Sequence, residues 1–393
     1  MNPIAFRALG SARQLDFLPQ ACLSLRLAQR ICLRCVAACP IGALKLDNGS
    51  MALDERCMGC GRCVPACPSG ALRARDFEFA PSVADDEIVL ECWKAAPRAG
   101  QQNSIQVPCL GGISRLALLE LVAAAQGRPV RLMDKGWCAD CAAGGGENHP
   151  AVAVVAEVGR LLEKLGAPLT WRPKIVSRPL PIGLMPDDIP DPLSQKTLSR
   201  RGFFSTFLSE AAATVASAAG GTGKVDAAPR TLSLAKIAGR EAKRTTALIL
   251  ELAQRAGTEP SAALFPAVEI GVACCNHGIC AAACPGGALR RYEDEATGGI
   301  MFDPTACLAC GVCETVCPEH AVRLLPEGNP EHTIHPVKLT QMSQYTCSAC
   351  GEKFAEASET LICPDCTKKR EIAASLFGIS FADRQVTAAN LEL

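Results

Sequence analysis

Cys57-Met58-Gly59-Cys60-Gly61-Arg62-Cys63-Val64-Pro65-Ala66-Cys67-Pro68 has the spacing C-x2-C-x2-C-x3-C-P, and Cys307-Leu308-Ala309-Cys310-Gly311-Val312-Cys313-Glu314-Thr315-Val316-Cys317-Pro318 repeats it without deviation. Such a tight loop supplies three thiols to one small cage, and the proline ends the loop because it has no amide hydrogen to satisfy. A second pattern runs through the first: Cys-Pro-x-x-Ala, then an aliphatic and a basic residue. Cys39-Pro40 leads to Ala43-Leu44-Lys45, Cys67-Pro68 to Ala71-Leu72-Arg73, Cys284-Pro285 to Ala288-Leu289-Arg290, and Cys317-Pro318 to Ala321-Val322-Arg323. Four copies in two pairs predict two small duplicated domains, residues 1–78 and 263–328. Asp47-Asn48-Gly49 and Thr297-Gly298-Gly299 are read as the turns where the halves meet.

The chain has 393 residues, with 40 basic and 40 acidic side chains and no net charge, so a strongly basic nucleic-acid-binding surface is excluded. Its length predicts two to four domains. The 24 cysteines are too spread out for a secreted disulfide scaffold. The start, Met1-Asn2-Pro3-Ile4-Ala5-Phe6-Arg7, is not read as a leader, and no run approaches the ~18 apolar residues of a membrane span. A reducing, cytoplasmic setting is expected, where thiols are metal ligands, nucleophiles or inert core residues.

The two regular motifs resemble those of bacterial ferredoxins with two 4Fe-4S clusters, over residues 22–76 and 270–325. In that family the fourth cysteine of each half ligates the other half's cluster. The resemblance implies one N-terminal cluster on Cys57, Cys60, Cys63 and Cys39, and one C-terminal cluster on Cys307, Cys310, Cys313 and Cys284. The partner clusters depart from the pattern. Cys32, Cys35 and Cys39 are in place, but Gln29 stands where the leading thiol belongs, and Cys22 is the nearest spare. A looped excursion would give a site of Cys22, Cys32, Cys35 and Cys67. In the second domain Cys274, Cys280 and Cys284 keep register, His277 holds the second position, and Cys275 is an extra thiol. Either His277 or Cys275 completes a site with Cys274, Cys280 and Cys317; Cys275 is the first choice, thiolate being the common ligand.

Residues 85–172 alternate strand and helix: Ile88-Val89-Leu90, Ile105-Gln106-Val107, an amphipathic run at 113–125, Val130-Arg131-Leu132, and a helix at 151–165. This βαβ pattern predicts a small parallel sheet. Cys92, Cys109, Cys138 and Cys141 fall at or after strand ends, where functional groups of open parallel sheets collect, so the four converge on a metal or a fifth cluster. Val107-Pro108-Cys109-Leu110-Gly111-Gly112 and the paired cysteines are similar to small iron-sulfur subunits of hydrogenases and heterodisulfide reductases. Residues 173–262 are read as a linker with a helix at 232–256. Cys347, Cys350, Cys363 and Cys366 give C-x2-C-x12-C-x2-C, which resembles a zinc ribbon (340–370), and 371–393 are read as a helix and tail. The fold class is thus α+β duplicated ferredoxin-like domains flanking an α/β domain, with a C-terminal ribbon.

Leu198-Ser199-Arg200-Arg201-Gly202-Phe203-Phe204 resembles a twin-arginine motif, but it lies far from the N-terminus and is read as a basic helix start. Residues 218–225 lack the first glycine and final Ser or Thr of a phosphate loop. His149, His320, His332 and His335 have no ligand spacing and are read as solvated. No catalytic residues are assigned. The implied function is a multi-cluster electron carrier relaying to a partner redox enzyme, with a molybdenum-dependent formate dehydrogenase as analogy. The competing readings are an assembly factor for such an enzyme, docking through Arg200-Arg201, and an enzyme acting at an incompletely ligated cluster.

Overall fold

The computed structural model describes residues 7–8, 15–27, 32–47, 50–74, 86–94, 104–144, 149–181, 234–356 and 362–377. Gln29, Arg200, Arg201 and residues 218–225 lie outside them. The chain divides into two compact units, Met1–Ile237 with Glu251–Thr258, and Ala238–Leu250 with Glu259–Leu393.

In the first unit, strands β1 (Arg7–Ala8), β2 (Leu15–Phe17) and a later β5 (Leu72–Ala74) form an antiparallel sheet in the order β1-β2-β5. Between them lie the one-turn helices α1 (Leu23–Arg26) and α2 (Arg34–Ala37) and a hairpin of β3 (Leu44–Asp47) and β4 (Ser50–Leu53), with Asp47 opposite Ser50. Leu15, Phe17, Leu18, Leu44 and Leu72 are buried together with Cys22 and Cys35, so the apolar faces of both strand pairs close on the thiol-bearing loops.

The same unit contains an all-parallel sheet of β6 (Ile88–Cys92), β7 (Ile105–Val107), β8 (Val130–Asp134) and β9 (Lys174–Ser177), ordered β7-β6-β8-β9. β9 falls in the segment read from sequence as linker. Helix α3 (Arg115–Ala125) starts on Ser114, whose side chain accepts from the Ala117 amide at 3.1 Å, and stops at Gln126, which has φ 51°. Helix α4 (Val152–Lys164) follows. Leu90, Leu118, Leu119, Leu132 and Leu162 are fully buried, which is the continuous apolar content a covered parallel sheet requires. Beside the carboxyl ends, Lys135 Nζ pairs with Glu91 Oε1 at 2.9 Å with both side chains buried.

The second unit repeats the outer pair and inner hairpin. After helix α5 (Leu234–Ala256), whose residues 238–250 belong here, β10 (Ala267–Ile270) pairs antiparallel with a later β13 (Val322–Leu325). Helix α6 (Ile279–Ala283), the hairpin β11 (Leu289–Glu293) and β12 (Thr297–Phe302), and helix α7 (Val312–Thr315) lie between them. Thr297, Gly298 and Gly299 are strand, not turn; the reversal is at 294–296. A Cβ on Gly299 would lie 2.1 Å from the Thr340 carbonyl oxygen, so the glycine admits a neighbouring backbone.

β14 (Val337–Lys338) and β15 (Met342–Thr346) both pair with β12, and β15 pairs with β16 (Lys353–Glu356), so the segment bearing the last four cysteines extends this hairpin's sheet. Helix α8 (Pro364–Phe377) begins earlier than the closing helix read from sequence. Among the described residues no helix is long and apolar enough to cross a membrane.

Candidate metal centres

Two cavities occupy corresponding places in the two segments that carry the paired motifs. One, of about 520 Å³ including its mouth, is lined by Cys39, Cys57, Cys60 and Cys63, with Leu15, Leu44 and Leu53 around them. The other, of about 330 Å³, is lined by Cys284, Cys307, Cys310 and Cys313, with Val268, Leu289 and Phe302. Thiols meeting in an apolar recess suit a polyatomic group of metal and sulfide better than solvent. Burial first, then the neighbouring sulfurs, pushes Cys60 up to about 11 and Cys313 up to about 12. A metal reverses that cost, since it binds the deprotonated thiolate.

The backbone explains the convergence. Residues two and four beyond Cys57 and Cys307 have positive φ: Gly59 (62°), Gly61 (73°), Ala309 (48°) and Gly311 (78°). The same two positions beyond Cys274 do so as well, Asn276 (53°) and Gly278 (73°). His277 therefore stands at the loop position held by Cys60 and Cys310. The Cys-Pro-x-x-Ala repeat has its own geometry, because the third residue beyond each cysteine is left-handed: Gly42 (62°), Gly70 (64°), Gly287 (67°) and His320 (50°). That turn swings the next amide onto the sulfur. Ala43, Ala71 and Ala321 donate to Cys39, Cys67 and Cys317 Sγ at 3.2, 3.3 and 3.3 Å, and Leu289 donates to Cys284 at 3.5 Å.

Cys22, Cys32, Cys35 and Cys67 form a further group. Ser24 Oγ donates to the Cys32 carbonyl at 2.7 Å and accepts from the Cys32 amide at 2.9 Å, which brings Cys32 back beside the start of α1. Burial raises the Cys35 thiol to about 12, with Cys67, Cys22 and Cys32 adding to it. In the second unit Cys280 is raised to about 11 by burial, with Cys274 and Cys317 adding to it. Cys275 is exposed, and its Sγ donates to the Ala273 carbonyl at 3.6 Å. His277 Nδ1 lies 3.4 Å from Glu319 Oε2.

At the carboxyl ends of the parallel sheet, burial raises Cys109 to about 11 and Cys138 to about 12; Cys92 and Cys141 add to the first, and Asp134, Cys109, Cys92 and Cys141 to the second. The Cys109 thiol donates to the Ala143 carbonyl at 3.8 Å, and the Cys92 thiol to the Pro108 carbonyl at 3.6 Å. A Cβ on Gly144 would lie 1.6 Å from the Cys138 carbonyl oxygen, so the loop closes without room for any side chain there. His149, read from sequence as solvated, joins this site instead. Its Nδ1 accepts from the Ala151 amide at 3.3 Å, its Nε2 is buried, and its ring groups with Asp134 and Cys138 within 4.8 Å. The lack of a nearby sequence partner hid it, because Cys138 and Asp134 approach it only through the fold.

Among the described residues, ligand atoms all within 4.8 Å of one another occur in three groups: Cys347, Cys350, Cys363 and Cys366; Asp134, Cys138 and His149; and Cys275, His277 and Glu319. The first offers four ligand atoms, all of them sulfur. Sulfurs about 2.3 Å from a tetrahedral zinc are about 3.8 Å apart. The Cys350 and Cys363 sulfurs are separated by 3.8 Å. Burial pushes the Cys347 thiol up, but the Cys363 and Ala349 amides donating to it at 3.3 and 3.4 Å outweigh this and bring it down to about 6.

Residues 30–78 match the family model of an LdpA Fe-S cluster-binding domain, and residues 273–321 match that of a 4Fe-4S dicluster domain. The matches cover the two segments that contain the paired motifs. No curated protein matches the chain. The chain thus carries iron-sulfur-binding domains at two separate places in its sequence.

Proposed function

We propose that this chain is an electron carrier with two clusters in each duplicated segment, a further centre on the parallel sheet and a zinc in the C-terminal hairpin. The observation that carries it is the recurrence of one cavity, lined in both segments by three thiols of one motif and the Cys-Pro thiol of the other half. A bound cluster supplies one-electron storage spread over several irons and sulfides. The chain's residues keep water away with leucines and set the potential through the amides donating to Cys39, Cys67, Cys284 and Cys317.

Cys22, Cys32, Cys35 and Cys67 hold the second N-terminal cluster. In the C-terminal segment His277 joins Cys274, Cys280 and Cys317, and the shared loop handedness supports it over Cys275, whose thiol turns to the Ala273 carbonyl. Two-electron chemistry belongs to a partner redox enzyme, and a molybdenum-dependent formate dehydrogenase is the first to test. Anaerobic purification followed by iron, sulfide and zinc analysis checks the reading: four cubanes require about sixteen irons with equal sulfide, more with the sheet centre, and about one zinc. Colourless material binding no iron after reconstitution overturns it.

A further inference from the structure

Arg62 lies inside the motif loop between Cys60 and Cys63, yet its side chain leaves that loop. Its guanidinium donates through Nη1 to the Ala143 carbonyl at 3.2 Å and to the Gly144 carbonyl. Ala143 is also the carbonyl that receives the Cys109 thiol, at 3.8 Å. The aliphatic stem of Arg62 packs at Gly111, where a Cβ would lie 3.3 Å from both Arg62 Cγ and Cδ and 2.7 Å from Pro150 Cβ. Two bonds from a ligand loop of one site thus end on the segment that closes the other.

We propose that the Cys39, Cys57, Cys60 and Cys63 site and the Cys92, Cys109, Cys138 and Cys141 site form one electron-exchanging pair, held at contact by Arg62. This rests on the iron-sulfur reading above and adds which two centres exchange electrons. In the exchange one site loses one electron and the other gains it. No bond forms or breaks, and a low-potential one-electron carrier supplies the electron. The geometry explains why a guanidinium occupies a ligand loop: it can donate to two carbonyls at once while its stem fills the space over a glycine. Arg62 is a positioning residue, since it touches peptide groups and no reacting atom.

The test uses the full chain, reconstituted without oxygen and reduced stepwise with dithionite, and reads electron paramagnetic resonance. The sheet-site signal is identified as the one that Cys109→Ser removes. In the unaltered chain that signal is split by magnetic interaction with the neighbouring site. Arg62→Ala keeps the same iron and sulfide per chain and loses the splitting; Arg62→Lys, retaining the stem and one donor group, recovers part of it. Iron at both sites with no splitting in the unaltered chain overturns the pair while leaving the iron-sulfur reading intact, and so does an Arg62→Ala spectrum that keeps the splitting. A sheet site without iron does the same. Absence of iron from the whole chain overturns the underlying reading. If Arg62→Ala does not fold, the spectrum of the unaltered chain decides.

Discussion

Gly144→Ala is the sharpest probe of the sheet centre, because its effect can be worked from geometry. The added Cβ would sit 1.6 Å from the Cys138 carbonyl oxygen, 2.7 Å from its carbon and 2.9 Å from the Cys141 carbonyl oxygen. Non-bonded heavy atoms settle at about 3.5 Å, so the Cys138 peptide must retreat by about 1.9 Å. Metal sites tolerate about 0.5 Å of misplacement, and the thiol of Cys138 cannot follow its backbone that far and still face Cys92 and Cys109. The sheet itself keeps its buried leucines, so the expected fall in stability is about 1–3 kcal/mol and the chain stays folded. Iron per chain should drop by about two to four atoms, the content of one lost cluster, with the remaining clusters retained. Gly159→Ala in α4, where a Cβ meets nothing within 4 Å, is the control. It should keep all the iron and gain about 0.5–1 kcal/mol. Unchanged iron and an unchanged resonance spectrum in Gly144→Ala would refute the reasoning.

Cys22→Ser should convert one N-terminal cluster to a three-iron form or lose it, and His277→Ala should do so in the C-terminal segment while Cys275→Ser does not; low-temperature paramagnetic resonance separates the three. Lys135→Met leaves the Glu91 carboxylate buried without its cation, so denaturant unfolding should show a loss of about 3–5 kcal/mol. His320→Gly removes a side chain from a left-handed position that is glycine in the other three copies. It should raise unfolding stability by about 0.5–1 kcal/mol without changing iron content.

The thiol spacings and the strand pattern of 88–132 were legible because both are local, a loop of fixed length and a run of β-branched residues. Lys174–Ser177 was not, since Lys-Ile-Val-Ser is short, polar at both ends and flanked by Pro173 and Pro179; only pairing with β8 makes it a strand. Thr297-Gly298-Gly299 reads as a turn for an equally physical reason. Glycine serves sharp reversals and close backbone approaches alike, and the second use becomes visible only when Thr340 is in place. Arg62 and His149 went unassigned because their partners lie more than ten residues away, at Ala143 and Gly144 for the first and at Cys138 and Asp134 for the second.

The four Cys-Pro copies also differ in a way that bears on potential. In three copies the amide four residues on reaches the sulfur at 3.2–3.3 Å, whereas at Cys284 the amide is one residue later and 3.5 Å away. Amide donation stabilises the more negative, reduced state, so a weaker donor lowers the potential. Cys284 faces the cavity of Cys307, Cys310 and Cys313, and its N-terminal counterpart, Cys39, holds the shortest of the four contacts. With the other surroundings matched, the C-terminal regular site should therefore be the harder to reduce. A potentiometric titration that placed it above the Cys39 site would show that burial or ligand charge, rather than amide donation, sets the order.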